Sequence, residues 1–163
     1  VALLGSGCSN PPVADKQPST SPALPASTSV KPQDEIEAAY REFWAVSWPL
    51  IKQPQQTWRE KLGTVAMEPE LTRLIRGYEQ LQQSGTTLYG TVEPHLKSVE
   101  VVTNGSAAKV IDCQDAGHSG QADAASNKAK NVGVARNPVN ALVKRDSDGH
   151  WKVADIAYPG GEC

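Results

Sequence analysis

The sequence predicts an α+β domain: three N-terminal helices packed on a curved antiparallel sheet of about four strands. Three observations carry this expectation. Apolar residues recur at helical spacing between residues 34 and 83, and after Gly85 the period changes to two. Turn signals then punctuate the two-residue pattern, "NGS" at 104–106 and "DSDG" at 146–149. Helices first and strands afterwards is the order of an α+β fold, not of alternating βαβ units.

The first helix is expected at "DEIEAAYREFWAVSWPLI", with Asp34 as cap and Glu37 reaching back in a capping box. Ile36, Ala39, Tyr40, Phe43, Ser47, Leu50 and Ile51 form one face, widened by Trp44 and Trp48. Pro49 should kink or end this helix. A second helix is expected over 55–65, where Trp58, Leu62 and Val65 align. The third runs from Pro69, suited to a first turn, to Gln83, with Leu71, Leu74, Ile75, Tyr78 and Leu81 on its apolar face and Gly85 as its stop.

Among the strands, Leu88, Val92 and Leu96 alternate before the parity switches to Val99 and Val101. That switch beside Pro94 predicts one long curved strand with a bulge or bend. "NGS" turns the chain into a strand over 107–114, and the stretch 115–131 reads as a wide, flexible loop. A second long strand is expected over 132–145, interrupted at Asn137–Pro138. "DSDG" closes a tight hairpin into the last strand, "HWKVADIAY", with Trp151 and Val153 on one face.

A length of 163 residues accommodates one domain and a tail. All nine Trp, Tyr and Phe residues lie beyond Asp34, so the core belongs there. The net charge of −2, without runs of like charge, provides no electrostatic footprint for nucleic acid or anionic lipid. No stretch of 18 apolar residues is present.

At the N-terminus, "LLGSGC" resembles the bacterial lipoprotein lipobox, in which leucine, two small residues and a cysteine direct lipid attachment. Ser6, Gly7 and Cys8 fit; Gly5 stands where leucine is usual, and Leu4 comes one residue early. The resemblance implies that residues 1–8 are the remnant of a signal peptide and that Cys8 carries lipid. Acylation would also remove an exposed thiol. An ordinary cleaved signal is the alternative. Residues 9–33 hold six prolines and seven serines or threonines but no aromatic residue. They are expected to be a disordered tether holding the domain, residues 34–163, off a surface.

Over about residues 34–163, the order of elements resembles the nuclear-transport-factor-two-like (cystatin-like, SnoaL-like) superfamily. "VIDCQD" together with "GHWKVADIAYPGGEC" also resembles a group of actinobacterial lipoproteins and secreted proteins with that fold. The resemblance implies a cone with a pocket between helices and sheet. Tyr40, Trp44, Trp48, Trp58, Tyr89 and Trp151 are the residues that could line it. A homodimer through the open sheet face is common in the superfamily.

Cys113 and Cys163 should pair in an exported domain, stapling the C-terminal tail to the sheet. No histidine sits at ligand spacing from either cysteine, and Cys-x-x-Cys is absent, so neither a metal nor a redox motif is expected. His118 and His150 fall in loop and hairpin and should be solvated, while His95 beside the bulge could face a pocket. Related pocket enzymes, such as ketosteroid isomerase, use a carboxylate base with tyrosine and acid donors. Asp112, Asp155, Tyr40 and Tyr89 are candidate polar groups, but none lies in a catalytic motif of the family, and no cofactor is implied. The expected function is therefore a non-enzymatic binding or scaffold module of the bacterial cell envelope, lipid-anchored or secreted, with an envelope protein as partner. The alternatives are a carrier of a small apolar ligand and a pocket enzyme of isomerase or dehydratase type. A sealed cone would exclude both alternatives; an open cavity holding Asp112 or Asp155 would favour the enzyme.

Overall fold

The computed structural model describes residues 31–163. The signal remnant, Cys8 and the tether as far as residue 30 lie outside the described residues. The first helix, α1 (Pro32–Leu50), starts two residues earlier than its acidic residues suggest, because Pro32 takes the first helical position, where its missing N–H costs nothing. Lys31 is the extended cap residue, and Asp34 makes no capping hydrogen bond. Asp34 and Glu35 instead lie in the first turn, where their charges oppose the helix dipole. Pro49 sits in the last turn, and the helix ends one residue later.

The second helix is shorter than its periodicity implies. A 3-10 turn (Gln55–Thr57) leads into α2 (Trp58–Leu62), and Gly63 stops it. The reason is a non-local pairing: Val65 O accepts from Val153 N–H, and Met67 N–H donates to Val153 O, so this stretch is drawn onto the last strand. Helix α3 (Glu70–Gln83) follows, with Pro69 just before it and Gly85 at φ +61 beyond it. Tyr78 is buried, and Leu71, Leu74, Ile75 and Leu81 are half-buried against the core.

Six strands follow: β1 (Thr86–Tyr89), β2 (Leu96–Val102), β3 (Ala107–Gln114), β4 (Gly120–Asp123), β5 (Asn137–Arg145) and β6 (Trp151–Ala157). Antiparallel β2-β3-β5-β6 form the main sheet, and β1 pairs with β4 in a second, two-stranded sheet. The expected fold class is the observed one, with three corrections among its strands. The long curved strand over 88–101 is two strands in different sheets, separated by Gly90–His95. Gly90 is at φ +68 and packs so closely on His118 that a Cβ would lie 1.9 Å from the His118 carbonyl oxygen. The expected bulge survives as a register shift between Leu96 and Ser98. The supposed loop over 115–131 contains β4 and is pinned by Asp115, Asp123 and Asn131 side chains accepting backbone N–H bonds. Strand β5 also begins only at Asn137, where an interruption was expected.

One face of α1 packs into the main sheet: Ile36, Tyr40, Phe43 and Trp44 meet Val110, Val139, Val143 and Val153. A smaller cluster holds Trp58, Leu62, Tyr78 and Leu88 between the helices and β1. Each large apolar side chain buried this way contributes about 1.5–3 kcal/mol. Cys113 is disulfide-bonded to Cys163, 50 residues away, which ties the tail back to β3.

Candidate functional site

The interior of the cone is occupied by its own side chains. Tyr40 and Phe43 each meet the Trp44 ring edge-on, at centroid distances of 6.2 and 5.1 Å. Beneath them Asp112, 1% exposed, accepts hydrogen bonds on both carboxylate oxygens. The Tyr40 hydroxyl donates to Oδ2 at 2.9 Å, and the His95 backbone N–H donates to Oδ1 at 2.6 Å. Burial raises the Asp112 pKa above the ordinary carboxylate value, against the two hydrogen bonds. Burial, with the Asp112 charge adding to it, likewise pushes the Tyr40 hydroxyl far up. A small cleft of about 100 Å³ is bordered by Phe43, Trp44, Glu70, Tyr78 and Tyr158. Small-molecule sites ordinarily need about 300 Å³ or more.

Glu70, also buried, serves an edge. Its Oε2 accepts from Ile156 N–H of β6 and from the Arg73 guanidinium at 2.6 Å. Burial raises its pKa, while Arg73 opposes the rise. Asp155 is half-exposed and paired with Arg73 at 2.7 Å.

The open space lies outside the cone. A more polar cleft of about 1010 Å³, with Glu35 and Trp151 in its lining, lies between α1 and the β5–β6 hairpin, and one groove, of about 840 Å³, runs between α1 and the strip Gly90–Lys97. From α1 come Arg41, Trp44, Trp48 and Pro49; Val92, Pro94 and Leu96 supply most of the opposite apolar wall. The walls are stitched together at two points. The Trp48 indole N–H donates to Tyr89 O at 3.1 Å, and Arg41 donates to Pro94 O at 2.8 Å. Glu93 pairs with Asp115, and His95 O accepts from Cys113 N–H, so the strip is anchored to the chain around the end of β3.

Of the residues expected to line a pocket, Trp44 and Trp48 are brought together in this groove. Tyr40 lies beneath it, bonded to Asp112. Trp58 is buried edge-on against Tyr78, its indole N–H donating to Gln53 O. Tyr89 donates its hydroxyl to Asn131 O. Trp151 is at the other end of the sheet, under the Arg145 guanidinium at 4.8 Å, with its N–H donating to Glu35. Trp58, Trp151 and the Tyr89 side chain do not line that groove, although the Tyr89 carbonyl accepts from Trp48 at its edge. Exposed His95 belongs to the groove wall, while His118 and His150 are exposed elsewhere. Arg41 and the strip Gly90–Lys97 escaped the sequence reading. The available signal was the helical spacing of Arg41, Trp44, Ala45 and Trp48, which marks a stripe beside the core face. Among the described residues no group of three or more His, Cys, Asp or Glu side chains could hold a metal ion.

No family model matches the chain, and no curated protein matches it. Solved structures do match. The intermembrane-space region of the chloroplast protein ARC6 superposes with a TM-score of 0.60 at 14% identity, covering 79% of this chain and 97% of that one. A ketosteroid isomerase-like protein from Erwinia carotovora atroseptica matches with a TM-score of 0.44 at 14% identity, over 76% of this chain and 92% of that one. A Catenulispora acidiphila structure in complex with S-DNPA gives 0.47 at 12%, over 77% and 92%. At such identities the likeness shows the fold alone.

Proposed function

We propose that this domain is a non-enzymatic binding module of a bacterial cell envelope, lipid-anchored through Cys8, that takes an extended segment of a protein partner in the groove between α1 and Gly90–Lys97. The observation that carries this reading is the groove of about 840 Å³ between α1 and Gly90–Lys97, beside a core filled by Tyr40, Phe43 and Trp44. The groove offers tryptophan and proline surfaces with polar groups at its rim, the composition of interfaces that bind extended chains. Against a pocket enzyme stands the Asp112 carboxylate, whose two oxygens are both engaged. Asp155, the other candidate base, is tied to Arg73. The Cys113–Cys163 disulfide accords with an oxidising compartment. Among the described residues no helix is long and apolar enough to cross a membrane.

The test is affinity capture of the full chain from its native envelope, read by mass spectrometry beside two variants. Trp48→Ala alters the groove, and Lys109→Glu alters the exposed sheet face. Proteins retained by wild type and Lys109→Glu but lost with Trp48→Ala are the expected result. Recovery of lipid without protein, or equal capture by all three, would overturn the reading.

A further inference from the structure

The groove has a candidate occupant in the chain itself. Residues 17–30 read "QPSTSPALPASTSV", uncharged and containing Pro22-Ala-Leu-Pro25. Two prolines three residues apart lie on one face of a polyproline II helix, which has three residues per turn, and grooves lined by aromatic residues bind such segments. Trp44, Trp48, Pro49 and Pro94 provide surfaces of that kind.

Reach favours this occupant. Helix α1 begins at Pro32, so Arg41 and Trp48 lie about 14 and 24 Å along its axis. A chain folded back from Lys31 at about 3.1 Å per residue would carry Pro25 to about 19 Å and Pro22 to about 28 Å. With the connecting residues extended, the proline pair therefore reaches the tryptophan end of the groove. No charge in 17–30 opposes docking beside Arg41, Glu93 and Lys97.

We propose that the segment Pro22–Pro25 docks in cis into the groove between α1 and Gly90–Lys97 and competes there with the protein partner. This rests on the reading of the groove as a binding site and adds its regulation. A short connection gives an effective concentration in the millimolar range. A segment whose free peptide binds with a Kd of order 1 mM is then about half docked, and the partner's apparent affinity falls about twofold.

The experiment compares the indole N–H resonances of the full chain with those of the Pro22→Gly/Pro25→Gly variant, whose substitutions lie outside the described residues. The signals of Trp44 and Trp48 are expected to move, those of Trp58 and Trp151 to stay, and the difference to be independent of protein concentration. Partner capture should rise about twofold in the variant. Unmoved Trp44 and Trp48 signals would overturn the proposal while leaving partner capture through Trp48 intact as a separate result. A difference that disappears on dilution would also overturn it, by assigning the groove to a second copy of the chain.

Discussion

Replacing Tyr40 with phenylalanine removes one oxygen from the interior and nothing else. Asp112 Oδ2 then loses the donor at 2.9 Å, and at 1% exposure water does not replace it. A hydrogen bond to a charged group is worth about 1.5–3 kcal/mol, so the variant should be destabilised by about 2 kcal/mol at neutral pH. For a domain of this size that lowers Tm by roughly 6–10 °C. The pH dependence makes the test specific. The folded-state pKa of Asp112 is already raised by burial, so its contribution to stability is greatest below the ordinary carboxylate range and is lost as pH rises through the folded value. Losing the Tyr40 donor raises that folded value further and widens the window. The difference between wild type and Tyr40→Phe should therefore grow from acid towards neutral pH, as Asp112 ionises in the folded state. Urea denaturation followed by circular dichroism at several pH values measures it. A difference below about 0.5 kcal/mol at pH 7, or one of equal size at pH 4 and pH 7, would refute the assignment of Tyr40 as the donor that keeps Asp112 charged.

Two further outcomes are expected. The Cys113→Ser/Cys163→Ser variant should lose roughly 4 kcal/mol, the chain-entropy value for a 50-residue loop, and reducing the wild type should have the same effect in denaturant titrations; a loss below 1 kcal/mol would mean that the tail is held by other contacts. Gly90→Ala should be destabilised by about 1–3 kcal/mol, because its Cβ would meet the His118 carbonyl at 1.9 Å and its φ of +68 disfavours a side chain; unchanged thermal stability would show that the β1–β2 connection yields freely.

What could be read from the sequence was what local spacing encodes. The faces of α1 and α3, the "NGS" and "DSDG" turns and the strand over 107–114 each depend on residues close together in the chain. Strand β4 was hidden because its four residues become a strand only by pairing with β1, over thirty residues earlier. The second helix was overestimated for the same reason: Val65 continues its apolar face, but the β6 edge claims the backbone there. At the site, Trp44 and Trp48 were legible as an addition to the core face. Arg41 and the Gly90–Lys97 strip were not, because the groove exists only where an irregular connection runs beside the helix.

Asp112 links these two halves of the structure. One carboxylate oxygen holds Tyr40 of α1, and the other holds the His95 backbone in the groove wall. Arg41, one residue after Tyr40, then donates to Pro94, one residue before His95. Both walls of the groove are thus referenced to a single buried group on β3. Burying a carboxylate is costly unless it is hydrogen-bonded, and the two bonds that Asp112 makes are the ones that fix the spacing between α1 and the strip. A cavity emptied for a ligand would have needed the opposite arrangement, with Asp112 free to turn toward it. In this chain the buried acid serves as a joint, and the groove it positions is on the outside.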